Sequence, residues 1–330
     1  MILAGDVGGT NTRLAWCEAS GARITIEVAA VYPSRDYESL GDIVGHFVST
    51  HPRVARAAAF GVAGPVREGH SKISNLSWEV NGENLAHLLG LPRVVVANDL
   101  EVTAYGIASL DEDDLVSLNG GDPDPEGNEA LIAPGTGLGE AGLHWEGDCH
   151  RPFASEGGHS DFAPRDPLEC ELLLFLSRDR QHVSCERVIS GPGLYNIYRF
   201  LRDSGRAEEP ASLRDEIAGD DPSPIISRHG LSGRYEICVE ALDRFVSLFG
   251  AEAGNLALKL LSTSGVFVGG GIARKVLPKL RDGRFIESFT RKGRMAPLLA
   301  RIPVRVITND LCALLGAARL AERAGGGSRS

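Results

Sequence analysis

Asp99 ends a run of buried-strand type, "RVVVAND" (93–99), and the stretch after it, "LEVTAYG", has helical composition. The C-terminal end of such a strand is where an α/β sheet presents groups to a ligand. A carboxylate there can take the proton of an attacking hydroxyl, which is the base's part in phosphoryl transfer. Asn98 beside it offers a donor and an acceptor to a sugar hydroxyl. The same junction is written again near the other end, "VRVITNDLCALLG" (304–316). There Asp310 has only apolar helix residues for neighbours, so it reads as a helix cap. Asp99 is the chemical copy and Asp310 the architectural one.

A second phrase also recurs. "GDVGGTNTR" (5–13) and "APGTGLGEA" (133–141) are both Gly-Thr bends between apolar strands. Such a bend turns several backbone N–H groups into one concavity that suits phosphate oxygens, and glycine permits the close approach. Thr10 and Thr136 add hydroxyl donors. Asp6 cannot favour an anion by itself; beside a phosphate it reads as an anchor for Mg²⁺, held through water. "ASEGGHSDFAP" (154–164) sets Glu156 and His159 on either side of two glycines, and "CERVISGPG" (185–193) places Glu186 at a helix start. These carboxylates and the imidazole suit the hydroxyls of a polyol. Taken singly, each has a blander reading as a cap or a surface group.

Competing motifs are weaker. No lysine follows a glycine, so the Walker A sequence is absent. Gly137, Gly139 and Gly142 satisfy G-x-G-x-x-G, but "GLHW" continues as strand where a dinucleotide fingerprint needs a helix. His144, Cys149, His150 and His159 fit no standard zinc spacing.

The elements that must position these residues follow from apolar periodicity. Strand-like runs open the chain, a helix is expected around "YESLGDIVGHFVSTH", and Leu85, Leu88 and Leu89 share one face of another. Strands in a meander, then alternating with helices, read as α/β. "DEDDLVSLNGGDPDPEGNE" (111–129) is the expected domain connection, and "DSGRAEEPASLRDEIAGDDPSP" (203–224) a loop among helices. The duplicated phrases suggest two related halves facing a cleft.

The chain has 330 residues, 43% of them apolar and 24% charged, enough for two domains with ordinary cores. Its 34 basic and 44 acidic residues give a net charge of −10, which argues against nucleic acid or an anionic membrane as partner. No apolar run is long enough to span a bilayer, and the opening residues lack the basic segment of a secretory leader. Six cysteines without a C-x-x-C pair read as reduced thiols of a cytoplasmic protein.

"GDVGGTN", "ANDLEVTAYG", "APGTGLG", "SEGGHSDFAP", "ERVISGPGLYNIY" and "FVGGGIA", in this order, resemble the bacterial glucokinase family of the actin-like sugar-kinase superfamily. The resemblance implies a two-domain actin-like (ribonuclease H-like) α/β fold with an interdomain cleft. The small domain would comprise 1–110 plus 308–324 and the large one 111–307, with 325–330 a flexible tail. It implies transfer of phosphate from ATP, with Mg²⁺, to the 6-hydroxyl of glucose in a cytoplasmic homodimer. By position, Asp99 resembles the family's base, and Asn98, Asp99, Glu156, His159 and Glu186 its sugar ligands. Gly5, Asp6, Val7, Gly8, Gly9 and Thr10 resemble its first phosphate turn, and Thr136 and Gly137 the second. Gly269 and Gly270 lie in "VGGGIA", which resembles the family's stretch that abuts adenosine. Two departures stand out: Gly64 where a cysteine is expected, and Glu140 where a small apolar residue is usual. Glu140 would repel phosphate if it pointed into the turn. Two alternatives stay open: a kinase for another hexose or an amino sugar, and a sugar-binding regulator without catalysis. The regulator would be expected to carry a DNA-binding module, and the chain begins directly in its first core strand.

Overall fold

In the first strand, β1 (Ile2–Val7), alternate residues go to opposite faces of a sheet, as the two-residue period of a strand requires. Leu3 and Val7 enter one apolar cluster, Ile2 and Ala4 another. A strand apolar on both faces needs cover on both, and the chain supplies it. The computed structural model describes residues 1–326 except 22, 74 and 75. It divides into two compact units: residues 1–114, 151–154 and 309–330, and residues 115–150 and 155–308.

In the first unit β1 is followed by β2 (Asn11–Ser20), β3 (Arg23–Pro33), α1 (Leu40–Thr50) and β4 (Ala57–Val62). Next come β5 (Val66–Arg67), β6 (His70–Lys72), β7 (Glu79–Asn81), α2 (Gly82–Leu89), β8 (Val95–Asn98) and α3 (Asp99–Ile107). The main sheet has the order β3-β2-β1-β4-β8, and β5-β6-β7 form a small one. The face of Leu3, Trp16 and Phe60 packs on α1 and α2. Within α2, Leu85 is buried and Leu89 packs partly buried on the same cluster, while Leu88 is half exposed, so Leu88 drops out of the expected leucine face. Gly82, Leu85 and Ala86 are the residues turned inward. A helix packed on a crowded sheet needs small residues against the strands, which leucine spacing alone does not show.

The second unit contains β9 (Leu115–Asn119), β10 (Glu129–Pro134), β11 (Leu138–Trp145), the ends of β12 (His150–Ser155, whose residues 151–154 group with the first unit), α4 (Pro167–Ser177) and α5 (Gly191–Asp203). It continues with α6 (Ala211–Gly219), α7 (Pro222–Ser232), the long α8 (Glu236–Leu260) and β13 (Gly265–Val268). Then come α9 (Gly270–Lys275), α10 (Leu277–Leu280), α11 (Arg284–Thr290), α12 (Ala296–Arg301) and β14 (Val304–Ile307). The sheet order is β12-β11-β10-β13-β14-β9. The stretch expected as a loop at 203–224 contains α6, because Leu213 is fully buried and anchors an otherwise charged helix.

The last helix, α13 (Cys312–Gly326), returns to the first unit and covers the second face of its sheet, where Leu314, Ala317, Ala318 and Ala321 meet Ile2, Ala4, Ala15 and Ala59. Of the tail expected at 325–330, Gly325 and Gly326 still belong to α13 and residues 327–330 lie outside the described ones. The two main sheets repeat one plan. Antiparallel β1/β2 followed by parallel β4 and β8 matches antiparallel β10/β11 followed by parallel β13 and β14. The two Asn-Asp junctions leave equivalent strands, β8 into α3 and β14 into α13.

Candidate active site

In the first unit the Gly-Thr bend joins β1 to β2. The Gly8 N–H donates to the Asn11 carbonyl at 3.0 Å and closes it. Ser34 holds it from below: its N–H donates to Thr10 O at 2.9 Å and its hydroxyl to Gly8 O at 2.7 Å. Buried Thr12 lies 3.0 Å from the same hydroxyl. Gly9 and Thr10 are left toward solvent. Sequence reasoning missed Ser34, since nothing local ties it to a bend more than twenty residues away.

Asp6 pairs with Arg13 across β1/β2 and shares the face of Ile2 and Ala4, the side covered by α3 and α13. Its carboxylate is 3.8 Å from Arg13 Nη1, and Arg13 also reaches Asp310, at 3.8 Å. Burial raises the Asp6 pKa, and Arg13 offsets part of the rise. In register, Asp6 lies beside Gly61 and Gly61 beside Ala97. A methyl on Gly61 would stand 2.2 Å from Val102 Cγ2, so its absence lets α3 lie directly on the sheet.

That close approach brings Asp99, the first residue of α3, down to Asp6. Burial, and then the charge of Asp6, raise the Asp99 pKa to about 6. Its own hydrogen bond from the Leu100 N–H, 2.8 Å, and the helix N-terminus work the other way without prevailing. Asn98 caps α3, accepting from Leu100 N–H at 2.9 Å and donating to Gly64 O at 3.1 Å. Asn309 caps the equivalent junction, accepting from Leu311 N–H at 2.8 Å, while its amide donates to Asp114. The cap is therefore asparagine in both copies, and the aspartates differ in surroundings: Asp99 is half buried against Asp6, and Asp310 is exposed.

In the second unit the bend at Gly135, Thr136 and Gly137 joins β10 to β11, closed by Gly135 N–H to Gly137 O at 2.7 Å. Gly191 N–H donates to Gly135 O at 2.8 Å, tying the bend to the start of α5. Glu186 approaches from the other side. Its Oε2 accepts from Leu138 N–H at 3.1 Å, and a methyl on Gly137 would lie 2.5 Å from it. Glu186 sits in a short 3-10 turn, Cys185–Arg187, and the helix expected there begins only at Gly191, capped by Ser190. The capping hydroxyl, not the carboxylate, marks that helix start.

Glu156 precedes the 3-10 turn Gly157–His159 and His159 ends it, both largely exposed and 3.8 Å apart. A methyl on Gly158 would stand 2.1 Å from Leu138 O, so the turn lies flat on β11. The structure thus brings Glu156, His159, Glu186 and the second bend around the start of β11. Glu140 does not point into the bend: it is buried, facing Gly157 and α8. Gly269 and Gly270 follow β13, where Gly269 N–H donates to Ile132 O at 2.9 Å. Gly270 has φ +86° and runs close under Pro134 O, which a side chain would prevent.

Two α/β units on one strand plan, each with a Gly-Thr bend and each continuing into an Asn-capped helix, define an actin-like sugar kinase by class. A ROK-family glucokinase from Streptomyces griseus, crystallised with glucose and AMPPNP, shares the fold: TM-score 0.68, 20% identity, covering 98% of this chain and 99% of that one. The crystal structure of a glucokinase from an Antarctic psychrotroph matches at TM-score 0.85 and 32% identity, covering 98% of both chains. A Nostoc sp. glucokinase is 41% identical over 342 aligned positions, covering 98% of this chain and 99% of its own. The Glucokinase family model matches residues 3–324. This chain belongs to the glucokinase family. Among the described residues no helix is long and apolar enough to cross a membrane.

Proposed function

We propose that the chain transfers the terminal phosphoryl group of ATP to the 6-hydroxyl of glucose, with Asp99 as general base. The observation that carries the reading is the placement of Asp99 at the end of β8 beside Asp6, its pKa raised to about 6. Such a carboxyl is ionised at neutral pH yet basic enough to accept a proton as the hydroxyl oxygen bonds to phosphorus. The bond to the leaving ADP oxygen breaks in the same displacement.

In this reading Asn98, Glu156, His159 and Glu186 orient the sugar hydroxyls. Glu186 spends one carboxylate oxygen on Leu138 N–H and keeps the other for this. The first turn, Gly5 to Thr10, through Gly9 and Thr10 at its tip, and Thr136 with Gly137 at the second take the phosphates; Gly269 and Gly270 take the adenosine. Asp6 suits a water-held Mg²⁺, since it is partly exposed and its ion pair with Arg13, at 3.8 Å, leaves oxygens unsaturated. When bound, Mg²⁺ supplies charge neutralisation on the phosphates. The first unit acts as the small domain and the second as the large one, in a cytoplasmic homodimer serving glycolysis.

A coupled assay of ADP release over a panel of hexoses and amino sugars tests the proposal. Turnover with glucose well above the others is expected. Asp99→Asn should lower kcat by ~10²–10⁴ while glucose binding measured by calorimetry persists. Sugar binding without turnover would make the chain a regulator, and a near-wild-type D99N would remove Asp99 from the chemistry.

A further inference from the structure

Glu140 carries a carboxyl that the proposed chemistry does not use. It pairs with Ile132 across β10/β11 and shares its face, toward α8. The residue is 1% exposed, and neither carboxyl oxygen has a hydrogen-bond partner among the described residues. A buried carboxyl with both oxygens unbonded is costly and calls for an account.

Directly above it lies the turn that holds Glu156 and His159. A methyl on Gly157 would stand 2.0 Å from Glu140 Oε2, so backbone rests on carboxyl with no side chain between. The charged and titratable groups around Glu140 are Glu252 and Lys259 of α8, Cys185 of the 3-10 turn, and the exposed Glu156 and His159 above. Glu252 takes hydrogen bonds from Asn255 (2.8 Å), Lys259 (3.3 Å) and the Cys185 thiol (3.4 Å). Lys292 is engaged by Ala251 O, at 2.8 Å, and by Asn255. Lys259 therefore serves Glu252, and one cation between two buried carboxyls leaves Glu140 as the neutral one. Burial first and Glu252 second raise its pKa to about 7, against Lys259.

We propose that Glu140 is a positioning residue for the Glu156–His159 turn: neutral, it lets Gly157 seat on β11; ionised, it draws water or Lys259 beneath Gly157 and lifts the turn. The inference rests on the reading that this turn holds the sugar, and it gives sugar affinity a dependence on pH that an apolar residue here would not.

The test compares wild type, Glu140→Gln and Glu140→Leu from about pH 6 to pH 8.5, a window spanning ionisation. Glucose affinity is measured by calorimetry and as KM, and hydrogen exchange is followed at 156–160 without sugar. Wild-type affinity should fall roughly five- to tenfold across the window, the scale of one or two displaced hydrogen bonds. Exchange in the turn should rise beyond the intrinsic base-catalysed rate. E140Q should stay at the low-pH value in both readouts, and E140L, which cannot ionise, should also be flat. Any pH effect common to all three proteins cancels, so what is read is the wild-type profile relative to E140Q and E140L. If glucose is phosphorylated and E140Q follows the wild-type profile, the inference is overturned and the kinase reading stands. If exchange behaves as stated while glucose neither binds nor reacts, the kinase reading falls and the support of the turn by Glu140 stands.

Discussion

Asp99 and Asp6 form a pair of carboxyls whose titrations are tied, and the tie can be read in a pH profile. Burial raises Asp99 first and Asp6 adds to it, to about 6. A base must be ionised to act, so kcat/KM should fall as pH drops below about 6. Asp6→Asn removes the like charge and should move that acid limb to lower pH, whatever it does to the plateau; an unmoved limb would mean that the two carboxyls do not interact. Stability carries the opposite sign. Between the ordinary carboxyl value of 3.8 and about 6, folded Asp99 binds more protons than it does unfolded, so folding weakens as pH rises through that window. Asp99→Asn should therefore raise the Tm at pH 7, with the gain gone below about pH 4. Asp99, Asn98 and the two bends were legible in the sequence because strand ends and glycines mark them locally. Ser34 beneath the first bend and Glu252 beside Glu140 were not, since their partners lie far off in sequence. Glu140 was visible as a misplaced charge, but its direction required the register of β10 with β11.

At the scale of elements, glycine sets how close α3 comes to its neighbours. A methyl on Gly316 would lie 1.6 Å from Val102 O, and one on Gly106 would lie 2.1 Å from Cys312 O, so α3 and α13 cross backbone to backbone. The Cys312 thiol donates to Thr103 O at 3.4 Å across the same contact. Gly316→Ala should cost about 1–3 kcal/mol or more by overpacking and should displace α3, lowering both Tm and activity. Gly325→Ala is the control, because a methyl there meets only Ala57 Cβ at 3.6 Å and should change stability by less than about 0.5 kcal/mol. Alanine raises helix propensity at both positions, so an equal change in the two variants would show that the crossing at Gly316 accommodates the methyl. The sequence displayed these helices as stretches of small residues, but small residues alone do not say which helix they meet. It hid α6 for the converse reason: one buried leucine, Leu213, holds a helix whose composition looks like a loop.

For the molecule as a whole, chain order and unit order part company, because α13 belongs to the first unit although it is made last. The duplicated phrases made the repeated strand plan legible in advance, since each copy must form the same hairpin and the same strand-to-helix junction. They left the amount of cover that α13 provides unread, because that depends on which sheet face the helix meets. Leu314 and Leu315 are 1% and 7% exposed against the Ile2/Ala4/Ala59 face. Burying two leucines is worth ~3–6 kcal/mol, a large part of the ~5–15 kcal/mol that holds a typical domain. A chain ending at Thr308 should therefore leave that face of the first sheet with α3 alone as its helical cover. Hydrogen exchange should then lose protection across β1, β2, β4 and β8, while β10, β13 and α8, whose apolar cluster contains no residue of α13, keep theirs. If both sets of peptides lose protection together, the two units fold as one and their separate cores do not act separately. If neither does, α13 is an accessory helix and the short side chains of Ala4, Ala15 and Ala59 suffice to keep that face folded in water.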